Sequence, residues 1–170
     1  MKTHHRHTLF AISLLIALFA INWLNGSDKI MPEISFTSIE GQSFTSADYQ
    51  GKPLLVIFWA TDCPGCIHEM PELIKLYKTY SPQDLSMLGI AMAHDSLDHI
   101  KAMQAEKKLP YTITWDNRGA LAQAFDNVRV TPTHFLIAPN GEIIMRKIGT
   151  LNVELVHDKL STMGLNKINK

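Results

Sequence analysis

Residues Leu54–Trp59 read "LLVIFW", and this run narrows the possible folds more than any other segment of the chain. All six residues are apolar, with no polar alternation. A strand with one face in water shows a period of two, so this one is covered on both faces, as in a parallel sheet layered between helices. From Pro64 to Tyr80 the apolar residues Ile67, Met70, Leu73, Ile74 and Tyr77 recur at helical spacing, with Pro71 inside the segment as an expected kink. The turn between strand and helix, "ATDCPGC", holds both cysteines of the chain, Cys63 and Cys66.

The other segments continue the alternation. In "ISFTSIEGQSFT", β-formers flank Glu40-Gly41-Gln42 and predict a hairpin. "DLSMLGIAM" predicts a second buried strand, Asp95 or Ser96 a cap for a helix ending near Lys108, and "YTITW" a short strand. A helix over Ala120 to Phe125 precedes "VTPTHFLI", and Pro139-Asn140-Gly141 turns the chain into "EIIMRKIG"; a last helix starts near Asn152. Strands alternating with helices and closing in a hairpin give an α/β layer sandwich. With 46% hydrophobic and 19% charged residues the chain has enough apolar side chains for such a core, and Met87, Met92 and Met103 fall in its apolar pattern as packing residues.

The chain begins "MKTHHRHTLFAISLLIALFAINWLNGS", a short basic flank followed by Thr8 to Leu24 without a charge. Those residues as a helix reach roughly 25 Å, close to the lower limit for spanning a bilayer. Leu18 and Ala20 fit a cleavage site poorly and Trp23 suits a membrane interface, so residues 1–26 read as a signal anchor in preference to a cleaved signal peptide. Lys2 and Arg6 then stay in the cytoplasm, and a single domain over 27–170 lies across the membrane, linked through "NGSDKIMP". His4, His5 and His7 are the polar flank of this segment. Beyond residue 26 there are 14 basic and 16 acidic residues, a balance that gives nucleic acid no electrostatic foothold.

A disulfide across Pro64 and Gly65 closes so short a loop that it removes little chain entropy, which points to reactivity or a ligand as the reason for the pair. On the far side of a membrane such a pair is either a disulfide or a dithiol kept reduced by a dedicated electron supply. The attacking species is a thiolate, and the unpaired N–H groups and positive dipole end of a helix N-terminus favour an anion there. Cys63 stands at that position and is assigned as nucleophile. Cys66, three residues on and on the same side, is the resolving thiol. Glu69 follows Cys66 by three residues. Either it is partly buried and exchanges a proton with Cys66, or it is an exposed acid favoured by the dipole in an early helical turn. Pro132 in "VTPT" is either a cis-proline holding a sharp turn beside the site or a strand-edge device. No cofactor is implied.

Taken together, "GKPLLVIFWATDCPGCIHEMPEL" and "VTPTHFLIAPNGEII" resemble the strand, CxxC, helix, cis-proline loop and hairpin of the thioredoxin superfamily. The likeness is to its membrane-anchored, exported branch, the TlpA, ResA and CcmG (DsbE) type thiol-disulfide oxidoreductases, and it covers about Met31 to Leu160. The resemblance implies a thioredoxin-like three-layer α/β/α sandwich with an N-terminal β-hairpin and a central helix–strand insertion over Asp95 to Trp115. It makes Cys63 and Cys66 the redox disulfide and Glu69 the active-site glutamate. Thr131-Pro132 becomes the cis peptide that meets substrate backbone; beside these, Pro64, Gly65 and Trp59, which packs beneath the dithiol, are expected to line the substrate site. It further implies exported, cysteine-containing protein substrates, a transmembrane thiol-reducing or oxidising partner, and a place at the bacterial inner membrane with the catalytic domain in the periplasm. Three departures stand out: Asp62 replaces the usual Trp before the first cysteine, proline precedes glycine in the dipeptide, and Ile57 stands where cytosolic thioredoxins bury an Asp. A carboxylate beside Cys63 weakens it as a nucleophile unless it points away or is neutralised.

The expected activity is reduction of protein disulfides, for example those of apocytochrome c; oxidation or isomerisation with the same residues is the near alternative. A Sco-like copper protein is a second class, since two cysteines and a histidine suit a soft metal. It requires His134 to stand in for a ligand histidine near Pro132, and it requires a wider cysteine spacing than this chain has. A peroxiredoxin is excluded because Thr61 is two, not three, positions before Cys63 and no proline lies in residues 58–62.

Overall fold

The computed structural model describes residues 29–166, so the anchor and the boundary at residue 26 lie outside the described residues. The two strands β1 (Ser35–Thr37) and β2 (Ser43–Thr45) pair antiparallel in the expected hairpin. They are followed by β3 (Leu54–Trp59), α1 (Pro64–Tyr80), β4 (Ser86–Ala91), α2 (Leu97–Lys107) and β5 (Thr112–Trp115). The chain ends with α3 (Ala120–Ala124), β6 (Thr133–Ile137), β7 (Ile143–Ile148) and α4 (Val153–Thr162). The helix α1 continues through Pro71 without interruption. Ser96, not Asp95, caps α2 by accepting from the His99 N–H. Among the described residues no helix is long and apolar enough to cross a membrane.

The main sheet has the order β5-β4-β3-β6-β7, with β3, β4 and β5 parallel and β6 and β7 antiparallel to their neighbours. Central β3 is buried at every position, and its side chains divide between two cores. Leu55, Ile57 and Trp59 face a cluster that holds Met70, Leu73 and Leu76 of α1, Ile100 of α2, and Val156 and Leu160 of α4. Leu54, Val56 and Phe58 face a second cluster formed by Ile34, Phe36 and Tyr49 near the hairpin and by Leu121 and Phe125 at α3. This is the expected three-layer sandwich, with the layer behind β3 built from one short helix and the hairpin. Burial pushes the Tyr49 phenol there up to about 12.

Edge strand β5 belongs to the helix–strand insertion and is shielded by the hairpin. The Ile39 N–H donates to the Ile113 carbonyl at 2.9 Å, and the Thr114 hydroxyl donates to the Thr37 carbonyl at 2.8 Å. Neighbouring groups so placed cover an edge that otherwise invites pairing with another chain. Gly89 explains the one residue without a side chain in β4. A Cβ there would lie 2.6 Å from Ile113 Cδ1, 3.2 Å from Trp59 Nε1 and 3.3 Å from Tyr111 Cε2. Gly89→Ala should therefore cost about 1–3 kcal/mol through overpacking. Urea unfolding reads this as a lower midpoint with an unchanged slope; an unaltered midpoint would show that Ile113 moves aside freely.

Candidate functional site

The end of β3 delivers the chain into the CPGC turn, and α1 begins within it. Cys63 is the N-cap residue of α1 with extended backbone (φ −95°, ψ 104°), and Pro64 occupies the first helical position, where its missing N–H costs nothing. Cys63 and Cys66 are joined as a disulfide with Cα atoms 5.3 Å apart. The Cys66 N–H donates to Cys63 Sγ at 3.2 Å. A backbone donor aimed at sulfur at a helix N-terminus stabilises negative charge that develops there. The two sulfurs differ in access, because Cys63 is 8% exposed and Cys66 1%.

The peptide Thr131-Pro132 is cis, as the resemblance implied. It brings Pro132 against the redox turn: a Cβ placed on Gly65 would lie 3.5 Å from Pro132 Cδ and 3.9 Å from Thr150 Oγ1. Exposed Pro64, half-buried Gly65 and half-buried Thr131 thus share one end of the sheet with the disulfide. Val130 and Ile148, among the most exposed large apolar residues, flank the same loop in sequence or in register. Trp59 is a correction to the expected substrate contacts. It lies in β3 within the core cluster at 3% exposure, so its ring supports the turn from below and offers a substrate almost no surface.

Of the two readings of Glu69, the structure selects burial: the residue is 4% exposed. Its Oε1 is 2.7 Å from His134 Nε2, and its Oε2 accepts from the Leu151 N–H at 3.0 Å. Burial first, and then the negative charge of Glu69, push the Tyr111 phenol up. The Nε2 of His134 is therefore engaged by a carboxylate. Among the described residues no group of three or more His, Cys, Asp or Glu is arranged to hold a metal ion.

Three pairings at the site had no signal in the sequence. Asp62 points outward, 76% exposed, and its Oδ1 is 3.4 Å from Nε2 of His94, so the carboxylate next to Cys63 is directed to solvent and an imidazole. Asp95 accepts from the Thr61 N–H at 2.7 Å, from the Thr61 hydroxyl at 2.8 Å and from the Ser96 N–H at 2.8 Å. It ties the β4–α2 loop to the residues leading into Cys63. His134, two residues past the cis-proline, enters the sequence reading only as a stand-in copper ligand, and the spacing gives no hint that it reaches Glu69 on α1.

Residues 26–163 match the Redoxin family model. A curated relative, the thiol-disulfide oxidoreductase ResA of Geobacillus kaustophilus, is 30% identical over 96% of this chain and 99% of its own. Among solved structures, a putative thioredoxin from Neisseria meningitidis superposes with a TM-score of 0.74 at 30% identity, covering 81% of this chain and 91% of that one. A thiol:disulfide interchange protein of the thioredoxin family from Chlorobium tepidum does so with a TM-score of 0.73 at 25% identity, covering 84% and 99%.

The Asp95 contacts generate a stability test. Asp95→Ala leaves the Thr61 amide and hydroxyl without their acceptor and should cost about 1–3 kcal/mol, measured by denaturant unfolding of the oxidised protein. Stability equal to the wild type would mean that water replaces the carboxylate fully and that the loop is held by other contacts.

Proposed function

We propose, from the premise that the chain belongs to the Redoxin family and to its ResA-type thiol-disulfide oxidoreductases, that it is a reductase of protein disulfides. The observation that carries this reading is the unequal pair at the α1 N-terminus. Cys63 is the more exposed sulfur and receives the Cys66 N–H, while Cys66 is enclosed. In the reduced protein the Cys63 thiolate attacks one sulfur of a substrate disulfide. A Cys63–substrate disulfide forms and the other substrate sulfur leaves as a thiolate. Cys66 then loses its proton and attacks Cys63 Sγ; the Cys63–Cys66 bond forms, and the second substrate sulfur leaves with the electron pair. Two electrons pass to the substrate, and its two sulfurs take up two protons.

Substrate backbone is held at the Thr131-Pro132 loop beside Pro64 and Gly65, with Val130 and Ile148 as apolar flanks. The uncharged segment from Thr8 to Leu24 behind Lys2 and Arg6 supports a single-pass anchor over 1–26 with the domain from residue 27 in the periplasm. There the dithiol needs a membrane-borne reductant to reopen the disulfide, and its substrates are exported proteins with cysteines, such as those awaiting haem attachment.

Substitution of the two sulfurs separates their roles. Cys66→Ser in intact cells should accumulate covalent adducts through Cys63 that dissolve on reduction, at least about tenfold above those of Cys63→Ser, because an unresolved mixed disulfide persists. Adducts are counted on non-reducing gels and their partners identified by mass. Equal trapping by both variants would contradict the assignment of the nucleophile.

A further inference from the structure

Disulfide exchange through Cys63 and Cys66 leaves His134 without a task. It lies at mid-strand in β6, opposite Ile57 of β3, with 0% exposure. Nε2 meets Glu69, whereas among the described residues Nδ1 has no hydrogen-bond partner. With its proton on Nε2 the ring gives Glu69 a donor. The Leu151 N–H supplies the second donor, one for each carboxylate oxygen. Both oxygens of a carboxylate that is 4% exposed are thereby held in place.

Glu69 follows Cys66 by three residues on α1, which puts their Cβ atoms about 5–6 Å apart. The other titratable groups around the pair are Cys63 on α1 and Tyr111 just before β5. The Tyr111 phenol stays protonated and does not compete as a base. The chain between β7 and α4 contributes the Leu151 amide, and β3 presents the apolar Ile57.

We propose that His134 is a positioning residue for the resolving half of the reaction: its Nε2–H holds the buried Glu69 carboxylate in the orientation that takes the proton of Cys66. The Cys66 thiol proton passes to the carboxylate as the Cys66–Cys63 bond forms and the Cys63–substrate bond breaks. The departing thiolate, or water, then takes that proton and restores the carboxylate. This inference rests on the proposed role of Cys66 as resolving thiol.

Mixing the reduced full chain with a chromogenic aromatic disulfide separates the two halves. The first burst of coloured thiolate reports attack by Cys63, and the second reports resolution by Cys66. His134→Leu should leave the first phase unchanged, slow the second about tenfold or more at neutral pH, and move its pH profile upward. His134→Gln, which keeps an N–H donor, should recover most of the rate. In a Glu69→Gln background His134→Leu should add no further slowing, since the two act as a unit. His134→Asn, whose amide is too short to reach Glu69, replaces the leucine variant should that one fail to fold. A second phase unaltered in rate and pH profile, equal slowing of both phases, or a glutamine variant no better than leucine would overturn the inference. Absence of a rapid first phase in the wild type would instead overturn the underlying assignment of Cys63.

Discussion

The chemistry of this protein depends on where one helix begins. The first turn of α1 has backbone N–H groups with no partners inside the helix, and one of them, that of Cys66, is given to the sulfur of Cys63. That placement requires the chain to arrive from β3 in an extended N-cap conformation and to enter the helix through Pro64. It requires β3 itself to be immovable, which its burial in both cores provides. A dithiol made of two residues on a loose loop would have neither the oriented amide nor the difference in exposure between its sulfurs.

Around this centre the fold adds constraints from three directions. Asp95 anchors Thr61 on the approach to Cys63. The Thr131-Pro132 loop closes over Gly65 from the side of β6. The segment leading into α4 sends the Leu151 amide underneath, to Glu69. Asp62, which on sequence alone opposes a thiolate next to it, is turned to solvent and His94. Screening by water weakens its field at Cys63.

Much of this was legible in the sequence because local chemistry and tertiary demand coincide. Leu54–Trp59 has no face that tolerates water, and Pro64–Tyr80 carries a proline at the first helical position and a clean apolar stripe, so both elements form where the pattern places them. Cys63, Cys66 and Pro132 were visible for the same reason: each sits at an element boundary with its own signature. Long-range polar pairings were not. The bond between Glu69 and His134 joins residues 65 positions apart, and that between Thr61 and Asp95 joins residues 34 apart; neither follows from a period or a cap. Asp95 looked like a helix cap because capping and loop anchoring call for the same side chain. Trp59 packs beneath the cysteines, next to Gly89, as its place at the end of an all-apolar strand implies, and this burial takes it out of the expected substrate contacts.

The buried pair behind the dithiol also shows how the fold replaces a missing acid. Ile57 contributes only packing at the middle of β3, and the carboxylate arrives instead from α1, held by a strand histidine and a loop amide. The proposed reaction needs a sulfur pair that opens and closes reversibly with reducing power to spare. Equilibrating the protein with graded dithiol/disulfide buffers and counting the Cys63–Cys66 bond measures this directly. One reversible two-electron transition is expected, nearer the roughly −270 mV of a reductant than the roughly −120 mV of a strong oxidant. A pair that cannot be reopened, or a midpoint at the oxidising end, would contradict it.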